Sequence, residues 1–291
     1  MKVTIRPADP VKPQFVGEVE GIDARKPLAP QQIAAIESGI ARFGVLVFRD
    51  QALTDDQQIA FTRSFGELEH ATGDIVQGEA RRLRMELNDI SNLDRDGNIR
   101  ARDDRARLFG LGNRLWHSDS SFKAIPARFS LLSARVLPTS GGNTEFADMR
   151  AAWDTLDAAT QAEIRDRVAL HSQVFSRATL GFDFTEAEPI AWAPVRQRLV
   201  RRHPETGRLS LYLSAHIGAI ERMPIPEARA LLRDLTEHAT QPERTHAHVW
   251  HSDDLVMWDN RITMHRARPF PPGQARDMRR TTVTDEVPTI F

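Results

Sequence analysis

Apolar residues recur along this chain in two periods, and the switches between them mark its elements. From Pro30 to Phe43, the residues Ile33, Ile36, Ile40 and Phe43 follow a three-to-four spacing, which predicts an amphipathic helix ended by Gly44. Val45 to Phe48 follows as a buried strand. Thr54 is placed to cap a second helix, Asp55 to Phe65, closed by Gly66. Val3 to Ile5 and Gly17 to Ile22 read as short opening strands. Phe129 to Val136 reads as a strand, and Pro138 to Gly142 as a turn. Asp148 is expected to cap a helix reaching Trp153, with another helix from Ala158 to Val168. Leu199 to His203 and Ser210 to Leu213 flank the turn Pro204-Glu205-Thr206-Gly207. Ile225 to Ala239 is a helix. Thr245 to Trp250, Asp254 to Trp258, His265 to Ala267 and Arg279 to Asp285 are strands.

Residues 67 to about 113 break this pattern. They are polar, charged and irregular, with Met85 to Ile90 as a strand among them. The segment reads either as a solvated excursion or as an active-site lid, a common use of long loops in compact domains. Short strands with helical insertions suit an α+β fold with a mainly β core, a distorted jelly roll decorated by helices. One domain is expected to span residues 1–291.

Composition narrows the chemistry by exclusion. There is no cysteine, so disulfides, thiolate nucleophiles and cysteine-based zinc or iron–sulfur sites are ruled out. The formal charge of −1 gives no global reason to expect nucleic acid or an anionic membrane as partner. Met1 to Val19 lacks a continuous apolar stretch, so no signal peptide is expected. No apolar run approaches the roughly 20 residues needed to span a bilayer. A cytoplasmic enzyme acting on a small molecule, assembled as a homo-oligomer, is the expectation.

The candidate chemistry is a His-X-Asp pair, His117 and Asp119, with a distant second histidine, His265. Two imidazoles and one carboxylate on one face of a metal, with the other face open, form the ligand set of a mononuclear non-haem iron(II) oxygenase. On a strand, residues i and i+2 project from the same side, so His117 and Asp119 can chelate one ion while Ser118 points away. His265 must then come from another strand folded over the first. Arg276 and Arg280 share a strand face, so both guanidiniums can enter one cavity and hold carboxylates bidentately. A plain basic surface stretch is the alternative, and Arg279 fits that description. His246, His248 and His251 form a second cluster with no carboxylate at chelating spacing, and are expected to be strand and edge histidines.

The runs 115–122, 140–146 and 254–261, Leu-Trp-His-Ser-Asp-Ser-Ser-Phe, Ser-Gly-Gly-Asn-Thr-Glu-Phe and Asp-Leu-Val-Met-Trp-Asp-Asn-Arg, resemble the taurine dioxygenase family of 2-oxoglutarate-dependent oxygenases. Within it the chain is most similar to the 2,4-dichlorophenoxyacetate (aryloxyalkanoate) dioxygenases. The resemblance runs from about Gly17 to Thr284 and implies a double-stranded β-helix. It implies Fe(II) as cofactor with 2-oxoglutarate and O2 as cosubstrates. It further implies Arg276 and Thr144 on the distal carboxylate of 2-oxoglutarate, and Arg280 on the substrate's anion. Asn113 and His216 match positions near substrate, with a turn residue and a packing residue as the respective alternatives. Those relatives carry a further histidine where this chain has Ala219, which puts the aryloxyacetate preference in question and leaves the iron chemistry untouched. The implied reaction hydroxylates an aryloxyacetate such as 2,4-dichlorophenoxyacetate, giving a phenol, glyoxylate, succinate and CO2. The rival readings are a taurine-like sulfonate or other small-acid dioxygenase, and a non-catalytic metal-binding jelly-roll protein.

Overall fold

Val45, Leu46, Val47 and Phe48 are all buried, and they divide by parity. Val45 and Val47 join one hydrophobic cluster, while Leu46 and Phe48 join another. The same division holds for Val256 and Trp258 against Leu255 and Met257, and for Leu132 against Leu131. These strands therefore form a sheet covered on both faces, as the two-residue side-chain alternation requires. The computed structural model describes residues 2–71 and 81–290.

That sheet has seven strands in the order Thr4–Pro7, Val16–Glu20, Val45–Phe48, Leu255–Asp259, Ala127–Val136, Asp277–Thr284 and Asn88–Asp89. All neighbours are antiparallel except Val16–Glu20 with Val45–Phe48. One face carries the helices Pro30–Phe43 and Asp55–Arg63. The first ends on Gly44 in the left-handed region, φ 81°, and the second begins with a reciprocal Thr54–Gln57 capping box. The other face packs on a three-stranded antiparallel sheet, ordered Thr245–His248, Thr144–Asp148 and Thr263–Ala267. Phe146 of that sheet meets Trp258, Val256 and Met278 of the large one in the shared core. Two sheets face to face with helices outside give the α+β jelly roll with a mainly β core. A third cluster packs the small sheet's outer face against the helices Met149–Asp154 and Ile225–Ala239.

The structure departs from the expected pattern in several places. The helix at Ala158 stops at Ile164, and Val168–His171 is a strand. Val168 and Leu170 are half-buried while Ala169 and His171 are buried, so this stretch carries a strand alternation that helical spacing had absorbed. Only Asn88–Asp89 of the expected Met85–Ile90 strand pairs, at the sheet edge. The charged stretch before Gly112 contains an unforeseen helix, Arg105–Gly110, capped by Asp104. Within residues 67–113, Asn92 accepts the Arg276 backbone N–H at 2.8 Å, and Asn113 lines two interior cavities. Residues 72–80 of this segment lie outside the described residues.

Candidate active site

His117 and His265 meet across an antiparallel bridge, each donating its backbone N–H to the other's carbonyl at 3.0 and 2.9 Å. His265 sits on Thr263–Ala267. The two rings nearly touch, with centroids 4.2 Å apart, and the Asp119 carboxylate faces the Nε2 atom of each. Its Oδ1 is 3.7 Å from His117 Nε2, and its Oδ2 is 3.7 Å from His265 Nε2. One donor atom from each residue lies within 4.8 Å of the others, and all three are buried. Ser118 points away, its hydroxyl directed at the carbonyls of Leu213 and Thr263. The expected strand under His117 and Asp119 is reduced to this one bridge residue, since Asp119 already lies in a turn; the partner strand carrying His265 is present as expected.

The donor set fits a divalent iron. His117 Nδ1–H donates to the Leu115 carbonyl at 2.7 Å, which leaves the Nε2 lone pair facing Asp119. Burial holds the His117 pKa below its ordinary value, and burial followed by His117 pushes that of His265 well down. Both rings are therefore neutral, the form that binds metal. Burial opposes ionisation of Asp119, but Arg280, then His265 and His117, outweigh it and hold the carboxyl at about 2. Ser130 donates to Asp119 Oδ2 at 2.7 Å. Asn260 accepts the Asp119 backbone N–H and the Trp258 indole N–H, and donates to Ser130. Sequence reasoning missed Ser130. Its signal was a hydroxyl within the apolar run Phe129-Ser130-Leu131, since a buried hydroxyl needs a partner.

A cavity beside the triad is lined by Asn113, His117, Thr144, His265, Arg276 and Arg280, among others. Thr144 Oγ1 accepts the Trp250 indole N–H at 3.0 Å, so its own hydroxyl proton is left for a ligand. Arg276 is 5% exposed. Its guanidinium donates to the carbonyls of Gly142 at 3.2 Å and Ile90 at 3.4 Å, and its Nε has no partner. No carboxylate pairs with it among the described residues. Burial lowers its pKa to about 10, still charged at neutral pH. An unpaired buried cation is costly, and this one faces the space a dicarboxylate would fill.

Arg280 donates to the Asp119 carboxylate and reaches both this cavity and a second one. Arg276 and Arg280 share the cavity despite a register shift at Asp277/Met278. Arg279 points elsewhere, to Asp55 and Asp277. The second cavity adds Phe109, Phe122, Arg177 and His216 to His117, Asp119 and Asn113. His216 is 2% exposed, with Nδ1 2.9 Å from Ser176 Oγ and its ring 5.0 Å from that of Phe122. Asn113 lines both cavities from the turn Leu111–Arg114. Sequence reasoning missed Arg177 and Phe109. The second histidine cluster diverges: His246 faces Asp9, His248 bonds Asp254, and His251 meets Arg49. It forms no ligand group among the described residues.

The family described as taurine catabolism dioxygenase TauD, TfdA family matches residues 6–282. The chain belongs to this family. It is 45% identical over 280 residues to the alpha-ketoglutarate-dependent 2,4-dichlorophenoxyacetate dioxygenase of Cupriavidus pinatubonensis, covering 96% of this chain and 98% of that protein. It is 39% identical to the (S)-phenoxypropionate/alpha-ketoglutarate-dioxygenase of Delftia acidovorans, covering 81% of each. Among solved structures, AAD-2 in complex with Mn(II) and N-oxalylglycine is similar over 100% of both chains, with a TM-score of 0.91 and 53% identity. This member of the family is a dioxygenase dependent on 2-oxoglutarate and O2, and the non-catalytic reading falls away.

Proposed function

We propose that the chain hydroxylates an aryloxyacetate such as 2,4-dichlorophenoxyacetate at the carbon beside its ether oxygen. The observation that carries this is the placing of the triad. It stands at the junction of two cavities, one closing on Arg276 and Thr144, the other walled by Phe109 and Phe122 with Arg280 at its inner end. His117, Asp119 and His265 would hold iron(II). With 2-oxoglutarate and O2 as cosubstrates, the metal would supply oxidative decarboxylation to succinate and CO2 coupled to hydroxylation of a substrate C–H, one oxygen atom of O2 going to succinate and the other to the substrate. Arg276 and the Thr144 hydroxyl hold the distal carboxylate of 2-oxoglutarate, with Trp250 fixing the direction of that hydroxyl. Arg280 attracts the substrate's carboxylate, while Phe109 and Phe122 flank the aryl ring and exclude water. Asn113 and His216 complete the wall around the reacting carbon. A hydroxyl placed beside the ether oxygen gives a hemiacetal, which collapses to a phenol and glyoxylate.

The reading extends to organisation. The chain works as one domain, as a homo-oligomer in the cytoplasm, without nucleic acid or membrane as partner. No helix among the described residues is long and apolar enough to cross a membrane, and light scattering decides the assembly. The deciding experiment is a succinate-release screen over aryloxyacetates, taurine, alkyl sulfates and short aliphatic acids. Phenol release matching succinate from 2,4-dichlorophenoxyacetate is expected. Succinate release driven by taurine or an aliphatic acid, with none from any aryloxyacetate, would refute it.

A further inference from the structure

Four arginines are buried among the described residues: Arg150, Arg177, Arg261 and Arg276. Arg150 is neutralised by Asp148 and by the carbonyls ending the first helix. Arg261 is neutralised by Asp259 and Glu205. Arg276 and Arg177 have no carboxylate among the described residues. Arg276 is accounted for by the anionic cosubstrate. Arg177 has no anion of either kind among the described residues.

Its surroundings form a slot built for a guanidinium. Arg177 lies on Gln173–Ala178 and is 6% exposed. Its guanidinium carbon stands 4.4 Å over the Phe109 ring. Gly112 backs the guanidinium closely: a Cβ there would lie 2.3 Å from the guanidinium carbon, so any larger residue would displace it. Nη1 donates to Ser176 Oγ at 2.9 Å, the same hydroxyl that meets His216, and Nε is buried without a partner. The side chain lines the second cavity together with Arg280. The two cations repel: burial first, and Arg280 second, lower the Arg177 pKa to about 10. An anion between them relieves both the desolvation and the repulsion.

We propose that Arg177 is a second anion anchor, so that the acid group of the prime substrate is held between Arg177 and Arg280. This rests on the reading that the prime substrate is a small acid. Arg280 already shares its charge with the metal-binding Asp119. Arg177 has no other anion among the described residues, and it is the group that makes the cavity select an acid over a neutral analogue of the same shape.

The test compares 2,4-dichlorophenoxyacetate with its neutral amide. Binding to the Mn(II)- and 2-oxoglutarate-loaded protein is measured anaerobically by calorimetry, without turnover. Arg177→Gln is expected to weaken the acid by roughly tenfold to a hundredfold, the range of a charge-assisted hydrogen bond. Affinity for the amide and for 2-oxoglutarate should hold within about twofold, and the ligand-free Tm should not fall, because an unpaired buried charge is removed. Gly112→Ala, which displaces the guanidinium without deleting it, should reproduce the selective loss. Equal loss of acid and amide with a lowered Tm would make Arg177 a packing residue and overturn the proposal, as would unchanged acid binding. If wild type binds no aryloxyacetate, the comparison is repeated with whichever acid the succinate screen finds. Dependence on Arg177 there sustains the anchor while the aryloxy reading falls. An acid that binds variant and wild type alike, or no acid bound by wild type at all, overturns the anchor.

Discussion

Removing the Arg276 guanidinium should cost the enzyme its cosubstrate rather than its fold. In the structure this group makes two long carbonyl contacts, 3.2 and 3.4 Å, and no ion pair among the described residues. The ligand-free protein therefore loses little in Arg276→Ala, and the desolvated charge it no longer carries offsets the lost contacts. The loss appears when 2-oxoglutarate binds. A hydrogen bond to a charged group contributes about 1.5–3 kcal/mol, which corresponds to roughly tenfold to over a hundredfold in affinity. Two readouts follow. The apparent KM for 2-oxoglutarate should rise by that factor with the KM of the prime substrate nearly unchanged. In thermal denaturation with Mn(II), 2-oxoglutarate at about 100 times the wild-type Kd stabilises by about 2.7 kcal/mol. A variant weakened about a hundredfold retains only about 0.4 kcal/mol of that, so its ligand-induced Tm shift should almost vanish. A preserved shift in Arg276→Ala, with only the prime substrate weakened, would refute the assignment and exchange the roles of Arg276 and Arg280.

Other perturbations separate the remaining parts. His117→Ala, Asp119→Ala and His265→Ala should each abolish turnover and leave a folded protein by circular dichroism; near-wild-type activity in any one, with iron supplied, removes it from the ligand set. Arg280→Ala should weaken the acidic substrate and lower the ratio of product to succinate, because a C–H bond displaced by about 1 Å can lose on the order of a hundredfold in rate; an unchanged ratio and affinity would place the acid group elsewhere. His171 is fully buried without a hydrogen-bond partner among the described residues, and burial pulls its pKa from 6.5 down to about 3. Between those values the unfolded chain binds the extra proton, so this stability is complete above about pH 6.5 and is lost as pH falls toward 3, by up to about 1.4 kcal/mol per unit. His171→Phe should flatten the fall of Tm between about pH 6 and 4.5, and an unchanged slope would assign that fall to other groups.

Much of this was legible because the determinants are local. The helix Pro30–Phe43 and the helix Ile225–Ala239 were read to the residue from apolar spacing, with Gly44 ending the first. The ligand pair was legible from its motif and its short spacing, although the chain turns at Asp119 instead of continuing as a strand. The strand Thr144–Asp148 escaped because it is a central strand, paired on both sides by segments that lie far away in sequence. Its burial comes from those partners and not from its own pattern. The small helices Arg105–Gly110 and Gln173–Ala178 escaped for a related reason: each is only a turn or two held by distant partners, the first by the edge and tilted contacts of Phe109 with Phe182 and Trp192 and by Arg105 on Glu188, the second by Ser176 on His216.

Arg177 shows where sequence reasoning runs out. In the sequence it is one of many arginines, five residues after Ser172 in an irregular stretch. Nothing in its neighbours distinguishes it from Arg165 or Arg202, which lie on the surface side of their elements. What singles it out is an accounting of charge that needs three dimensions: which cations are buried, and which of those have an anion. Arg150 and Arg261 carry their own carboxylates two residues away, Asp148 and Asp259, so their pairing is written locally. Arg276 and Arg177 have no such neighbour, and folding brings them none among the described residues. A fold that buries two uncompensated guanidiniums beside one metal-ligand triad is less stable for it, by the desolvation that each charge keeps. Both open onto cavities that meet the triad, so an anion arriving from solution would lift either burden. Affinity for the two acids and the stability of the empty enzyme are then opposed by construction. Neutralising either arginine should shift the balance from binding toward stability at that cavity alone.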